Sequence, residues 1–454
     1  MENNAKLKVG FARVNVNPQM GIDITGYYKI RKAEGILDDL EANAVAFQCG
    51  DKTVLLIAID HCGIPTVILN EYKQAISEKT GVPVDAIFMH STHTHTGPSI
   101  RLLGNSEEAD NMILEYRKFL GTRCVDVACF ALADLKPAKM GYGIGQAPNI
   151  AFIRRFRMKD GTIKTNPGVN NPDIVAPIGE VDESVNVVRF DRENADSVVL
   201  VNFADHPDTV GGNLISGDWP SFTRRIVEKA IDNTKCILIN GHQGDVNHVN
   251  VHPKAGDFND MFNDFDGCSR GYGHARHMGQ VVAGAVLQVY DKVNYVDVDK
   301  INYAQEIVEI PANLPDPKDL PLAHKYVDLH KAGKDDEIPF KAMMLTTVVA
   351  EAQRMVRLEN GPDHFNLLFS ALSIGNIALF GVPGEPFNAI GKAVKKADGW
   401  DLILTSCLMN GAEGYYPMRD AYDEGGYEAR SSNFKAGVAE RIIEQGHKML
   451  SELK

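Results

Sequence analysis

The sequence predicts an α/β protein whose β-sheets are covered by helices. Short apolar runs alternate with helical patterns along most of the chain, and this alternation is typical of that class. The first example is an apolar run at 53–60, a helical pattern from Pro65 to about Gly81, and a second apolar run at 86–91. With 454 residues, the chain is long enough for two domains or for one large layered domain.

The later elements continue the same alternation. Helical patterns cover 106–135, 219–232 and 269–290, and a last one begins near residue 433. Apolar runs typical of buried strands occupy 187–190, 197–204, 235–241 and 401–408. Residues 365–383 have the pattern of a β-hairpin that turns at Gly375 and Asn376.

The polar segment 311–340 interrupts this alternation, and we interpret it as an inserted helical excursion or lid. The chain has no Ser/Gly-rich linker, internal repeat or low-complexity tract that would divide it into units. We therefore predict that residues 1–454 form a single domain that carries this insertion.

Composition limits the partners. Asp and Glu number 60 against 47 Lys and Arg, and the resulting charge of −13 argues against nucleic acid or an anionic membrane as the main partner. No run reaches the ~20 apolar residues that would cross a bilayer, so we expect no integral membrane segment. The N-terminus lacks the apolar core of a signal peptide, and the seven cysteines contain no CxxC pair. These features favour a reduced, cytoplasmic setting, and they leave the oligomeric state open.

The stretch "FMHSTHTHTGPS" at 88–99 contains His90, His93 and His95. His93 and His95 follow an apolar run, and residues two apart on an extended strand face the same side. Neutral imidazole is the commonest protein ligand for zinc. Taken alone, the motif could equally be a His-rich surface loop. Two other zinc-enzyme patterns with HxH do not fit, because the HxHxDH continuation and eight regular βα units are both missing.

Three further apolar runs end in polar side chains. His206 precedes Pro207, and Glu385 follows Pro383 and Gly384. The third run leads into a polar cluster made of His242, Asp245, Asn247 and His248. One such residue at a strand end is more often structural, but together they supply a His, His, Glu set that suits a catalytic zinc with an open position.

These motifs resemble those of the neutral, alkaline-active, non-lysosomal ceramidase family, and they occur in the family's order. They are "VGFARVNVNP", "STHTHTGP", "FADHP" with "SGDWP", "GDVNHVN", "GVPGEPF" and a Tyr-rich loop that ends in "GGYEA". The resemblance spans nearly the whole chain. It implies the family's catalytic-domain fold, with layered mixed β-sheets flanked by helices, and hydrolysis of an amide (N-acyl) bond.

The resemblance also implies the ligands of one zinc ion. These are His93, His206, Glu385 and Tyr415, with Tyr416 as the alternative to Tyr415.

By the same resemblance, His95 is the general acid/base and Tyr427 stabilises the oxyanion. Arg154 is the substrate-pocket arginine, with Arg155 as its alternative.

Two departures from the family affect the expected reaction. Asn247 stands where the family has a Ser that is often assigned as nucleophile, and we expect the family's C-terminal immunoglobulin-like domain to be absent. An Asn side chain has no activatable hydroxyl, so we predict that Asn247 orients the substrate. The attacking group is then water, whose pKa falls from 15.7 to about 7 on zinc. Ser216 is the alternative nucleophile.

We expect the substrate to be a small or amphiphilic amide and ceramide to be a poor one. The alternatives are a catalytically silent ceramidase-like protein that binds a ligand, and a hydrolase of esters or lactams.

Overall fold

The structure is a computed structural model that describes residues 7–258 and 271–454, except Leu103 and Asn105. Its helices are α1 Thr66–Thr80, α2 Glu107–Ala133, α3 Asp218–Ala230, α4 Tyr272–Val289, α5 Leu320–Lys331, α6 Ala342–Arg357, α7 Asn388–Val394, α8 Arg419–Glu424, α9 Tyr427–Ser431 and α10 Val438–Glu452. Its strands are β1 Lys8–Asn15, β2 Asp23–Ile24, β3 Arg31–Lys32, β4 Gly35–Ile36, β5 Glu41–Cys49, β6 Lys52–Ile59, β7 Ile87–Ser91, β8 Lys136–Gln146, β9 Phe152–Ile153, β10 Arg155–Met158, β11 Ile163–Thr165, β12 Ile174–Pro177, β13 Ser184–Arg192, β14 Ser197–Phe203, β15 Leu214–Ile215, β16 Thr234–Asn240, β17 Val246–Asn247, β18 Asn294–Val296, β19 Ile301–Pro311, β20 His364–Ile374, β21 Ile377–Gly381, β22 Glu385–Pro386, β23 Leu402–Ser406 and β24 Tyr415–Tyr416.

Two mixed sheets carry the architecture. The larger has the order β16-β14-β13-β8-β1-β5-β6-β7, with β18 also paired to β8, and the smaller has the order β19-β20-β21-β23. β6 and β7, β14 and β16, and β21 and β23 are parallel pairs, while the other neighbours run antiparallel. The predicted α/β class with layered mixed sheets is therefore confirmed.

The two sheets pack face to face, and helices cover their outer faces. Phe47 and Leu56 of the larger sheet share one apolar core with Leu372 and Leu379 of the smaller. α2 packs on β1 and β5, α3 on β16, and α4 on β8, while α7 and α10 cover the smaller sheet. Strands that are covered on both faces need continuous apolar sequence, which is why the run in β6 is buried almost throughout.

Local sequence features explain where these elements begin and turn, and the last helix begins later than predicted. Ser106 caps α2 by accepting a hydrogen bond from Ala109 N at 3.1 Å, and acidic residues fill the first turn. The hairpin of β20 and β21 turns at Gly375 and Asn376. The last helix begins at Val438 rather than near 433, because Gly437 before it has a left-handed φ of 109°. Residues 269 and 270 of the predicted fourth helix lie outside the described residues.

The predicted insertion forms a pair of packed helices, α5 and α6, between the neighbouring strands β19 and β20. Its helical part continues to Arg357 and so extends past the predicted limit at 340. α6 also packs against α9, which begins at Tyr427, so the insertion lies beside the Tyr-rich loop. None of the described helices is long and apolar enough to cross a membrane.

Candidate metal centre and active site

The carboxyl ends of β7, β14 and β16 meet at one place, and Asn240 holds them together. Its backbone N–H donates to His90 Nε2 at 3.0 Å, and its side-chain amide donates to the carbonyl oxygens of Thr92 at 3.1 Å and Asp205 at 2.9 Å. His90 Nδ1 lies 2.9 Å from the carbonyl oxygen of Cys407, just after β23. Both ring nitrogens of His90 are thus used within the fold, and His90 is a structural residue of the three-histidine motif.

His93 and His95 do meet, but the predicted reason was wrong. β7 ends at Ser91, and His93 has a left-handed φ of 82°, so the two residues do not lie on an extended strand. A hydrogen bond of 2.8 Å from His93 N to the carbonyl oxygen of His61 holds this turn. The two Nε2 atoms then lie 3.2 Å apart. A non-glycine residue with positive φ is uncommon, and such residues cluster at functional sites.

Three buried ligand-type atoms form a tight group. Glu385 Oε2 lies 3.2 Å from His93 Nε2 and 3.2 Å from His206 Nε2. Neither contact has hydrogen-bond geometry, and Glu385 Oε2 has no hydrogen-bond partner among the described residues. The three residues, hereafter the metal-site triad, form a group of buried donors able to hold a metal ion.

Both histidines of the triad are held in one tautomer. His93 Nδ1 donates to the carbonyl oxygen of Cys62 at 2.5 Å. His206 Nδ1 donates to the carbonyl oxygens of Val246 at 2.8 Å and Gln243 at 3.0 Å. In a neutral ring this proton on Nδ1 makes Nε2 the ligand atom, and metal-binding histidines are commonly oriented in this way by a carbonyl group.

The electrostatics of the triad keep its carboxylate ionised. Burial alone would lower the pKa of His93, but the Glu385 and Cys62 side chains reverse this and raise the pKa well above its usual value. Burial would raise the pKa of Glu385, yet His93 and His206 hold it well below its usual range. In His206, burial and the nearby Arg154 charge lower the pKa. An ionised carboxylate is the form in which Glu binds a metal.

Tyr415 is the tyrosine that faces the triad. The short parallel pair of β22 and β24 sets Glu385 beside Tyr415, and Tyr415 Oη lies 3.5 Å from His206 Nε2. The next residue, Tyr416, points into the core, where it is fully buried and donates to the carbonyl oxygen of Pro383 at 3.1 Å.

No model of a known protein family matches the sequence, and no protein of curated function matches it either. Solved structures do match. The chain superposes on neutral ceramidase from Pseudomonas aeruginosa with a TM-score of 0.72 at 18% identity, over 99% of this chain and 74% of that one. The chain has the neutral ceramidase fold. A structure described as ceramidase complexed with C2 matches with the same TM-score at 16% identity, over 99% of this chain and 75% of the other.

Within this ceramidase fold, His95 lies against the triad. Its Nε2 is 3.2 Å from His93 Nε2, and its buried Nδ1 has no hydrogen-bond partner in the described part of the chain. Gly26 packs directly on it, because a Cβ at Gly26 would lie 2.7 Å from the Cβ of His95. Burial and the neighbouring His93 hold the pKa of His95 well below its usual value, so its imidazole is neutral at pH 7 in this environment.

Tyr427 and Arg154 both contact Tyr415. The ring of Tyr427 packs edge-on at 5.5 Å from that of Tyr415, and its hydroxyl lies 3.1 Å from the Tyr28 hydroxyl. Arg154 donates to Glu428 Oε1 at 2.6 Å and to the carbonyl oxygen of Gly244 at 2.9 Å. Its guanidinium also lies 5.5 Å from the Tyr415 ring centre.

Arg155 points elsewhere. It pairs with Glu424 at 3.0 Å, and its guanidinium lies 5.4 Å from the centre of the Phe387 ring. Arg154 is therefore the arginine that faces the site.

The structure places Asn247 and Ser216 outside the triad. Asn247 is buried in β17, donates to Asn166 Oδ1 at 3.2 Å and accepts from Val249 N at 3.1 Å. Ser216 is buried and donates to Asp38 Oδ2 at 2.7 Å.

Three residues near the site were not predicted from the sequence. Glu428 holds Arg154, Cys62 holds His93 through its carbonyl oxygen, and Tyr28 contacts Tyr427. Glu428 follows Tyr427 inside the quoted "GGYEA" motif, which was a usable signal. A backbone carbonyl leaves no trace in the residue type, so nothing pointed to Cys62.

Proposed function

We propose that this protein is a zinc-dependent hydrolase that cleaves an amide (N-acyl) bond in a small or amphiphilic substrate. The observation that carries the proposal is the metal-site triad, in which two imidazole nitrogens crowd a buried carboxylate oxygen at 3.2 Å without hydrogen-bond geometry. Such an arrangement is unfavourable unless His93 takes up a second proton or a metal ion lies among the three atoms. The reaction class rests on the structural likeness to proteins described as ceramidases.

The spacing and chemistry of the donors fit zinc. Zinc lies about 2.0–2.2 Å from N and O ligands, so neighbouring ligands of a tetrahedron are roughly 3.3–3.6 Å apart. The two contacts of 3.2 Å in the triad and the 3.5 Å contact of Tyr415 with His206 are close to that range. Two imidazoles favour zinc over magnesium or calcium, which prefer oxygen ligands. We therefore assign His93, His206, Glu385 and Tyr415 as the zinc ligands.

When bound, zinc polarises a carbonyl oxygen and lowers the pKa of water to about 7. The protein's own groups supply the remaining steps. His95 takes a proton from the attacking water and passes it to the leaving nitrogen, and its neutral imidazole can accept that proton. The Tyr427 hydroxyl donates a hydrogen bond to the oxygen that gains negative charge. Arg154 orients Tyr415, whose ring centre lies 5.5 Å from its guanidinium, and we propose that it also contributes to the substrate pocket.

Water, rather than a side chain, is the attacking group in this proposal. The Ser216 hydroxyl already donates to Asp38, and its carbonyl oxygen accepts from the hydroxyls of Thr94 at 2.6 Å and Thr96 at 3.1 Å. These bonds make Ser216 a support of the loop that carries His93 and His95. Asn247 acts indirectly, because its partner Asn166 donates its backbone N–H to the Arg154 carbonyl at 2.8 Å.

The first test is metal content and turnover together. Metal-replete protein should contain one zinc per chain, and cobalt substitution should give the visible spectrum of a four-coordinate site. A panel of N-acyl amides should then be hydrolysed, and a chelator should stop the reaction reversibly. We expect a soluble short-chain amide to be cleaved faster than micellar N-acylsphingosine, because a chain of charge −13 is poorly suited to an anionic lipid surface.

The outcomes separate the alternatives. Less than about a tenth of an equivalent of zinc would overturn the metal assignment. One equivalent of zinc with no turnover of any amide would indicate a ligand-binding protein instead. Turnover of esters or lactams alone would replace the amide assignment, and a burst of amine with an acylated Ser216 peptide would replace water as nucleophile.

A further inference from the structure

Two arginines near the tyrosines of the candidate site have no carboxylate partner among the described residues. Arg101 follows the loop that carries His93 and His95, and Arg357 is the last residue of α6. Both are exposed, and neither takes part in an ion pair with any residue that the structure describes. In a chain whose net charge is −13, two unpaired arginines that bind the same loop need an explanation.

One loop holds both arginines, and that loop leads into the site. Arg101 Nη2 donates to the carbonyl oxygen of Ala412 at 2.8 Å. The carbonyl oxygen of the next residue, Glu413, accepts from Asn433 Nδ2 at 3.1 Å, and Asn433 Oδ1 accepts from Arg357 Nη2 at 2.5 Å. Two residues later the chain reaches Tyr415. Arg101 thus binds this loop directly, and Arg357 binds it through the Asn433 side chain, close in sequence to the proposed metal ligand.

The loop's own acid does not neutralise them. The Glu413 carboxylate accepts from the Thr66 hydroxyl at 2.6 Å and forms no ion pair with Arg101 or Arg357. Each arginine keeps N–H donors beyond the one that its loop contact uses, because a guanidinium has five. Such donors match the two oxygens of a carboxylate, which can bridge two guanidinium groups.

Electrostatic effects connect the two arginines with each other. Partial shielding from water lowers the pKa of Arg357, and the charge of Arg101 lowers it further, so the two cations repel each other. Arg357 and Glu385 both act on the pKa of Tyr28, which burial raises. An anion between the arginines would relieve their repulsion.

We propose that Arg101 and Arg357 form an anion subsite that binds a carboxylate group of the substrate. That the ligand is a substrate rests on the proposed hydrolase function, and the subsite itself rests on the arginine geometry. The Tyr28 and Tyr427 hydroxyls are 3.1 Å apart, and the Tyr427 ring lies 5.5 Å from that of the proposed ligand Tyr415. The preferred substrate is therefore a soluble amide that carries a carboxylate, such as an N-acyl amino acid.

Binding is tested without turnover. Calorimetry on chelator-treated protein compares N-butanoylglycine with its uncharged match, N-butanoylpropylamine. The chelator matters because a bound metal could itself coordinate the carboxylate. We expect the charged ligand to bind at least about tenfold more tightly, and Arg101→Gln or Arg357→Gln to remove about tenfold each, the low end for hydrogen bonds to charged groups. Raising the salt concentration should reduce the preference.

The controls separate charge from structure. Arg357→Lys retains the charge and should keep part of the preference for the charged ligand. If Arg357 acted only by holding Asn433, the preference would be lost in both Arg357→Gln and Arg357→Lys. Arg441→Gln removes an exposed arginine of α10, paired with Glu444 at 3.4 Å, and should change nothing. Circular dichroism and melting curves establish that each variant is folded.

The same two amides are then compared by kcat/KM on metal-loaded protein. Equal binding and turnover of both amides, unchanged in the glutamine variants, would overturn the subsite while leaving the hydrolase proposal standing. Arginine-dependent binding of N-butanoylglycine without turnover of either amide would support the subsite and count against the hydrolase.

Discussion

The carboxylates of Asp60 and Glu385 are both buried beside the loop that carries His93 and His95, but their surroundings differ. Asp60 accepts from Arg224 at 3.0 and 2.6 Å, from Thr92 Oγ1 at 3.1 Å and from Glu41 N at 3.0 Å. Glu385 Oε2 meets two imidazole nitrogens whose protons are on the opposite side of each ring. Asp60 is satisfied by hydrogen bonds from the protein itself, whereas Glu385 Oε2 needs either a second proton on His93 or a metal ion among the three atoms.

This difference distinguishes a structural ion pair from a metal site. A buried charge with enough donors stabilises a single arrangement of the chain, and removal of one partner is costly. A buried carboxylate surrounded by lone pairs is retained although it lowers the stability of the metal-free protein. We therefore expect a chelator to affect the metal-site triad but not the pair of Asp60 and Arg224. Substitution of Asp60 should lower stability whether or not metal is bound.

The largest effect should come from removing a metal ligand. His206→Ala or Glu385→Ala should abolish zinc binding and turnover, because only three of the four assigned ligands remain and one of these is a tyrosine hydroxyl. Elemental analysis and amide hydrolysis measure both. His324→Ala, an exposed histidine paired with Glu359 at 2.9 Å, is the matched control and should keep full metal content. A variant of Glu385 that retained one zinc would contradict the assignment.

The second effect concerns His95, which lies as close to His93 as Glu385 does. If it carries the proton, His95→Ala should keep one zinc and lose roughly 10²–10⁴-fold in kcat. Metal analysis alongside kcat shows whether His95 is the acid/base or a metal ligand. Loss of zinc from this variant would make His95 a ligand rather than the acid/base.

The third effect tests the structural side of the comparison. Asp60→Ala should lower the free energy of unfolding by about 3–5 kcal/mol, because Arg224 loses its main partner in a buried position. Denaturant unfolding measures this loss, which should be the same with and without chelator. Replacement of both partners, Asp60→Leu with Arg224→Met, should recover part of it. A chelator-dependent loss would show that the two sites are coupled.

A smaller effect is expected at Asn247. Asn247→Ala should lower kcat/KM by about 10- to 100-fold, because Asn247 positions Asn166 behind Arg154 without touching the triad. Zinc content should not change. A loss as large as that of His95→Ala would place Asn247 among the reacting groups.

The smallest effect should be at Cys62. Its Sγ lies 3.8 Å from His93 Nδ1, but the 2.5 Å hydrogen bond of His93 goes to its carbonyl oxygen. Cys62→Ala keeps that carbonyl and should change kcat/KM by about twofold or less. Loss of zinc on this substitution would show that the thiol, and not the backbone, orients His93.

Local sequence was informative wherever the signal was local. Apolar runs that end in Pro, Gly or His predicted the strand ends before His206 and Glu385, and a helical pattern with acidic residues in its first turn predicted α2. Strands β1, β5 and β8 of the larger sheet were not predicted. Their small residues, such as those of "EANAVAFQC" in β5, are buried by neighbours that only the sheet provides.

The sequence by itself determined the α/β class and the types of chemical group that follow the strands, because both depend on residues within a few positions of each other. The tertiary structure decided which of these groups face each other. Tyr415 rather than Tyr416 meets His206 because strand pairing sets which side chain of two neighbours points inward. The left-handed turn at His93 and the pair of Asp60 with Arg224 depend on partners distant in sequence. No local pattern records such contacts, since the folding of the whole chain creates them.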